Sequence, residues 1–478
     1  MDDSSHPQVT TDCLICIFTY LSEEDLIRVS SVCKDWHDAA ETPWLWRRIC
    51  LQHWSFCNLA ALGGEHDTCS WKRYFLRRSF LEANMTKGQT GSYTCKGLRG
   101  HTGKVVGLAY LHGNSSHNPN LWNMEATVCS ASTDGTVRAW NIRNGELLWC
   151  TPVQSPLTGI ICEEQHQVVI TSDSNGLIKT WQGQTGQELG SFSTSSPHSF
   201  WSTELKNHSE AFSFSKVTLQ GSVHTLTGFT LTTKSRVVVC DSFKVDLLLI
   251  SPDKKWVVAG TKDRSDLFPK VISSVSLTSP SEDEDPLCQS LPVTGCHAAV
   301  FLPSLPARLA IIHQSGSFRN KKALTVFDIS FKKKKYSSEI NVQQVESFPL
   351  TLLSSESQIL LEAKSSDCIV LAAGQQLCVY SLKGVLLTSF SDHILPISSI
   401  CVDSFRVVTA SQDVSLRVLT WKNSRDNGVT LESRFHLLGG SHSMSRGFTH
   451  VVCDYSSVVA SVEGVDGKDV LKAYSFTT

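Results

Sequence analysis

The chain has 478 residues, which allows about three domains, or fewer if one is a large β architecture. Hydrophobic residues make up 41% and charged residues 18%, enough apolar material for a core and too little charge for a mostly disordered chain. The 43 Lys and Arg against 45 Asp and Glu leave a net charge of −2, which argues against a nucleic-acid partner, and no apolar run approaches the ~18–20 residues that would cross a membrane.

The first elements are helical. Leu14, Ile17, Phe18 and Leu21 recur at the spacing of one helix face. Ser22, Glu23, Glu24 and Asp25 read as the start of a second helix: the hydroxyl caps an N–H and the acids sit at the positive end of the dipole. Leu26, Val29, Val32 and Cys33 continue its inner face, and Pro43 breaks the pattern ahead of Trp44 and Trp46. A further helix is expected over 71–81, with Trp71, Phe75 and Leu81 apolar and Lys72, Arg73, Arg77 and Arg78 solvated. Five of the 12 tryptophans (Trp36, Trp44, Trp46, Trp54 and Trp71) lie in this opening region. The first residues, MDDSSHPQ, are acidic and polar, unlike a secretory signal, and the 17 cysteines are irregularly spaced. Both features point to reduced thiols in a cytoplasmic chain, with the nucleus as the alternative. Cys13 and Cys16 form a C-x-x-C with no second pair nearby, and the histidines lack ligand spacing, so no metal or other cofactor is expected.

From about residue 92 the texture changes to short β segments separated by Gly, Ser, Asp and Asn, an all-β pattern. It repeats. The stretch from Ser130 to Trp140 resembles that from Ile170 to Trp181, and Gly145 and Gly186 follow the two tryptophans at the same interval. A third copy starts at Thr409. A period near 40–45 residues ending in Asp and then Trp is the mark of four-stranded propeller blades. Third strands are expected near Trp140, Trp181, Thr225, Ile272, Phe327, Tyr380, Leu419 and Tyr474. Eight blades of about 48 residues fit that period better than seven of about 55, which remain the alternative. The last blade lacks an outer strand, and 92–98 is placed to supply it, protecting two edges at once. The expected organisation is therefore a three-helix module at 1–52, a helical linker at 53–91 and an all-β propeller at 92–478.

Ile17-Phe-Thr-Tyr-Leu21, Asp25-Leu26, Val32-Cys-Lys-Asp-Trp36 and Leu45-Trp46 together resemble an F-box. Gly100-His101, Asp134 and Trp140 resemble a WD repeat. The combination, over nearly the whole chain, is similar to the F-box/WD-repeat family. The resemblance implies an F-box that binds the Skp adaptor of a cullin–RING ubiquitin ligase and a propeller that holds a protein substrate, with the chemistry left to a recruited conjugating enzyme. It also implies a structural role for His101, Asp134 and Trp140, for Trp181 in the second repeat and for Asp413 with His393 in the seventh. Physically, Val9, Leu14, Ile17, Leu21, Leu26, Val32 and Trp46 are more apolar groups than a three-helix unit of ~45 residues can bury, so they are assigned to the adaptor surface. The alternative is that they pack on the propeller. Family members usually begin the F-box with Leu-Pro; Val9 and Thr10 stand there, which predicts a lost rigid turn and weaker adaptor binding.

Several relatives read phosphorylated substrates with arginines on one propeller face. The matching places hold Val106, Thr133, Ser174, Ser398 and Gln412, none basic, so phosphate recognition is not expected. Arg138, Lys179 and Arg417 are expected to lay their stems along the sheet. The four lysines from Lys332 read as a hairpin tip or, alternatively, a nuclear signal, and the acidic loop at Ser281 reads as a kinase site or plain mobile loop. No phosphate loop, nucleophile elbow or zinc-protease motif occurs, so a propeller enzyme ranks behind a substrate receptor and a non-ubiquitinating scaffold.

Overall fold

The computed structural model describes residues 9–54, 70–89, 91–112, 126–163, 166–193, 200–206, 212–217, 222–227, 230–238, 245, 247–261, 267–278, 286–315, 322–333, 338–350, 358–364, 368–403, 405–424, 428–440 and 444–476. The acidic loop 281–285 and the hairpin tip 334–337 lie outside them. Lys332 and Lys333 end the strand Lys322–Lys333, which pairs back onto Ser338–Leu350.

Four short helices open the chain: α1 (Thr11–Phe18), α2 (Glu23–Val29), α3 (Lys34–Ala40) and α4 (Pro43–His53). Ser22 caps α2, its hydroxyl accepting the Asp25 N–H at 3.2 Å and donating to the Asp25 carboxylate at 2.9 Å. Pro43 begins α4 rather than merely interrupting a pattern; at the first helical position its missing N–H has no partner to lose. Leu14, Phe18, Leu26, Leu45 and Trp46 form the module's core together with Tyr74 and Phe75 of the next helix. The Trp46 indole N–H donates to the Ala40 carbonyl at 2.8 Å, which satisfies its buried polar end.

That next helix, α5 (Trp71–Lys87), is capped by Ser70 and ends where Gly88 turns left-handed at φ 54°. It extends six residues beyond the expected 81, because no breaker precedes Gly88.

From residue 94 the described residues form eight four-stranded antiparallel sheets, the larger of the two expected counts. In chain order the blades span 105–150, 157–193, 200–238, 247–290, 296–350, 359–390, 397–438 and 445–475, and Trp140, Trp181, Thr225, Ile272, Phe327, Tyr380, Leu419 and Tyr474 each sit in a third strand. Second strands such as Thr127–Ser132, Val168–Asp173 and Arg406–Ser411 are buried at every position, being sandwiched between neighbouring blades. Shared apolar clusters bridge blades one and two, six and seven, and seven and eight. The eighth blade is completed from the other end of the chain: Thr94–Leu98 pairs antiparallel with its third strand, from Thr94 opposite Ser475 to Leu98 opposite Leu471.

In each sheet the end of the first strand and the start of the second lie on one face of the ring, and the end of the second and the start of the third lie on the other. Helix α5 docks on the first of these faces, against the turns at Phe405–Arg406 and Tyr455. Arg78, expected to be solvated, is buried there: it donates to the Tyr455 hydroxyl at 3.2 Å and the Tyr74 hydroxyl at 3.1 Å, and its guanidinium lies 4.4 Å from the Trp54 ring centre. Glu82 accepts from the Trp54 indole at 2.7 Å and from the Tyr455 hydroxyl. Leu81 and Met85 enter the core of blades seven and eight.

Removing residues 94–98 should lower the propeller's melting temperature and direct the first proteolytic cut to 464–468, because the last blade loses five paired residues. Leu98→Ala, a milder change at a buried position, should cost ~2–5 kcal/mol by denaturant titration. Unchanged protease resistance in the deletion would show that the ring closes some other way.

Candidate functional site

Two surfaces are candidates: the outer side of the helical module and the propeller face opposite α5. On the module, helical spacing did not separate inside from outside. Leu14, Leu26 and Trp46, assigned to the adaptor surface, are buried in the module's own core, and Leu21 is half-buried against it. Val9, Ile17 and Val32 are exposed, Ile17 by 54%. Tyr20, Trp44, Ile27 and Leu51 are exposed as well and were not in the assigned set. Trp44, Arg48 and Leu51 share one side of α4, whereas Trp46, two residues on, faces inward. The Arg48 guanidinium donates to the Thr19 carbonyl at 2.9 Å, which brings this side of α4 to the end of α1, where Ile17 and Tyr20 project. An apolar, aromatic surface thus gathers around one half-buried arginine. Thr10 holds φ −63°, the value proline enforces, so the turn into α1 keeps its shape and loses only the ring's rigidity.

Within blade one a buried relay joins the residues expected to be structural. Trp140 Nε1 donates to Ser130 Oγ at 2.9 Å, Ser130 Oγ lies 2.8 Å from His101 Nε2, and His101 Nδ1 lies 2.9 Å from Asp134 Oδ2. These partners fit a neutral imidazole that donates from Nδ1 and accepts the serine proton at Nε2. Burial lowers the His101 pKa, against the pull of Asp134. Burial pushes the Asp134 carboxyl up, but the Thr136 hydroxyl, the Thr102 N–H, His101 and the Thr136 N–H hold it down to about 2. Gly100 precedes His101 because the Arg138 guanidinium packs over it; a Cβ there would sit 2.3 Å from Arg138 Nη1. Blade seven repeats the relay through Asp413, His393 and Thr409, with Leu419 in the place of the tryptophan. In blade two Trp181 donates to Thr171 Oγ1 at 2.9 Å, and Asp173, two residues ahead of the expected place, accepts the N–H groups of Asn175 and Leu177. Asn175 stands where blade one has Asp134, and Asp173 supports the turn in its place.

The face opposite α5 carries the five places examined for phosphate readers. Thr133 and Gln412 are exposed there, and Val106, Ser174 and Ser398 are half-buried. Two cations nearby are engaged: Lys104 pairs with Glu463 at 2.9 Å, and Arg417 donates to the Asp392 carbonyl at 3.0 Å. Lys179, in a third strand, pairs with Glu188 at 2.7 Å. The same face exposes Val153, Ile394, Leu395, Leu438, Met444 and Val465, with Ile394 at 79% and Met444 at 71%. The Val465 N–H donates to the Met444 carbonyl, which places two of these groups side by side.

An F-box-like family model matches residues 11–52. The whole chain is similar to human F-box/WD repeat-containing protein 12, with 28% identity over 97% of each chain. The chain is thus similar to F-box/WD-repeat proteins over nearly its whole length. Mouse F-box/WD repeat-containing protein 15 is similar at 22% identity over 85% of each chain. An F-box/LRR-repeat protein 5 from Salmo salar is 42% identical over 48 residues, 10% of this chain and 7% of its own. Two solved structures share the fold at a TM-score of 0.53 while covering 78% of this chain: the computationally designed Ika8 protein (18% identity, 98% of its chain) and Saccharomyces cerevisiae Sqt1 (11% identity, 97% of its chain). No helix of the described residues is long and apolar enough to cross a membrane.

The relay predicts a pH dependence of definite sign. A histidine whose folded pKa lies below its unfolded value of ~6.5 contributes its full stability above that pH and loses it as the pH falls toward the folded value. The Asp134 contribution is lost only below ~3.8, as the pH falls toward about 2. The melting-temperature advantage of the wild type over His101→Gln should therefore shrink from pH 7.5 to 5.5. An advantage that grows over that range would mean the folded protein holds His101 protonated.

Proposed function

We propose that this chain is the substrate-recognition subunit of a Skp–cullin–F-box ubiquitin ligase. Residues 1–52 dock on the Skp adaptor, 53–91 carry α5 to the propeller, and 92–478 hold a protein substrate; no catalytic step falls to this chain. One observation carries the reading: α5 fixes the module to one face of the ring, and among the described residues no part of the module packs on the opposite, apolar-studded face. The adaptor surface is Val9, Ile17, Tyr20, Val32, Trp44 and Leu51, all exposed and apolar or aromatic, the composition of the core of a protein interface. Leu14, Leu26 and Trp46 support it from beneath. A scaffold that binds the adaptor without ubiquitin transfer remains the second reading, favoured by the Val9-Thr10 start.

Ile17→Lys or Trp44→Ala should reduce co-purification of the Skp adaptor about thirtyfold, the effect of ~2 kcal/mol at an aromatic anchor, with the propeller's melting temperature unchanged. Adaptor binding unaltered in both variants would sink the assignment. Partners that accumulate on the full chain when the proteasome is inhibited would favour the receptor over the scaffold.

The face opposite α5 is suited to an unmodified segment or a folded surface rather than a phosphate, since none of Val106, Thr133, Ser174, Ser398 and Gln412 offers a cation to a doubly charged group. Phosphatase treatment of a captured substrate should change its affinity by no more than a few-fold. A loss of tenfold or more, about 1.4 kcal/mol, would show that Arg138 or Arg417 is released to reach the ligand.

A further inference from the structure

The innermost strands of blades seven and eight, Ile397–Val402 and Ser445–Cys453, run side by side. Ser398 Oγ donates to the Phe448 carbonyl at 2.6 Å, and the Val451 N–H donates to Ser399 Oγ at 3.3 Å. At the end of this seam nearest α5, Cys401 Sγ and Cys453 Sγ lie 3.0 Å apart. Both residues are half-buried. A bonded pair needs about 2.0 Å between sulfurs, and an approach of roughly 1 Å is within the reach of side-chain rotation.

We propose that Cys401 and Cys453 form a reversible oxidation site that a peroxide converts into a disulfide clasp across the seam of blades seven and eight. The surroundings set the order of events. The contact with Cys401, followed by burial and nearby negative charge, holds the Cys453 thiol well above its ordinary pKa, which suits Cys453 to the resolving role and leaves the first attack to Cys401. The Cys401 thiolate attacks one oxygen of hydrogen peroxide, giving a sulfenic acid and releasing hydroxide, which takes up a proton to become water. The Cys453 sulfur then attacks the Cys401 sulfur, and its proton leaves with the hydroxyl as a second water. Two thiols lose two electrons and the peroxide gains two. Thiol reduction restores the starting state, as suits a chain in a reducing compartment.

The clasp sits beside the module's anchorage. Cys453 Sγ lies 3.6 Å from Asp403 Oδ2, Asp403 holds Arg406 at 3.2 Å, and Arg406 reaches Met85 of α5 at 3.3 Å. Oxidation therefore ties together the two blades on which α5 rests and removes one donor from Asp403.

The test uses the full chain, titrated with hydrogen peroxide, blocked with an alkylating agent and digested without reductant for mass spectrometry. The expected result is a Cys401–Cys453 linked peptide that disappears with dithiothreitol and is absent from Cys401→Ser. In Cys453→Ser, dimedone should trap a sulfenic acid on Cys401. The oxidised wild type should melt at a higher temperature than the reduced form, and Cys401→Ala should show no such rise. A linked peptide absent at peroxide levels that oxidise the exposed Cys13 and Cys16 would overturn the proposal, as would sulfinic acid accumulating on Cys401 of the wild type.

Discussion

The pairing of Thr94–Leu98 with Val470–Ser475 determines more than the closure of the ring. Because the two strands are antiparallel, Thr94 lies opposite Ser475, at the end of the blade where the turns holding Tyr455 and Phe405 also lie. Helix α5 ends only a few residues earlier, at Gly88, so the chain cannot deliver it to the other face. One strand register thus decides which side of the propeller carries the helical module. The polar contacts of Arg78 and Glu82 with Tyr455 then fix an arrangement that connectivity had already chosen.

That junction is built as a core rather than as a surface contact. Leu81 and Met85 are buried among residues of blades seven and eight, and Tyr74 and Phe75 of the same helix are buried among the module's own. Arg78 sits between the two clusters with its guanidinium near the rings of both Trp54 and Tyr455. Its charge remains buried because two hydroxyls accept its N–H groups and Glu82 lies 3.5 Å away.

The propeller was legible in the sequence wherever a repeat kept its chemistry. Trp140 and Trp181, with their following glycines, marked two blades, and the β-rich runs marked third strands even where Thr225 or Ile272 had replaced the aromatic ring. The strands read clearly because those between neighbouring blades are buried on both sides and become nearly unbroken apolar or small-residue runs, as at Val168–Asp173. The module was less legible. On helices of seven to eleven residues, Leu14 and Ile17 satisfy the same periodic template, yet the first is buried and the second exposed. Which side faces inward depended on α5, whose Tyr74 and Phe75 supply part of the module's core. Arg78 was misread for the same reason: one of three arginines on an amphipathic helix carries no local sign that a tyrosine 377 residues later will receive it. Asp173 could have been found, since a carboxylate at the end of a strand before a tight turn is a familiar acceptor for turn N–H groups.

Helix α5, about 25 Å long at 17 residues, is gripped at both ends by side chains of different bodies. No flexible hinge is needed within its length, since it bends around neither proline nor glycine before Gly88. A molecule seated on the face opposite α5 and a molecule seated on the module around Trp44 are consequently held at one fixed bearing through the thickness of the ring. Between such guests, the separation is set by the architecture, and the choice of which of their groups meet falls to their own shapes.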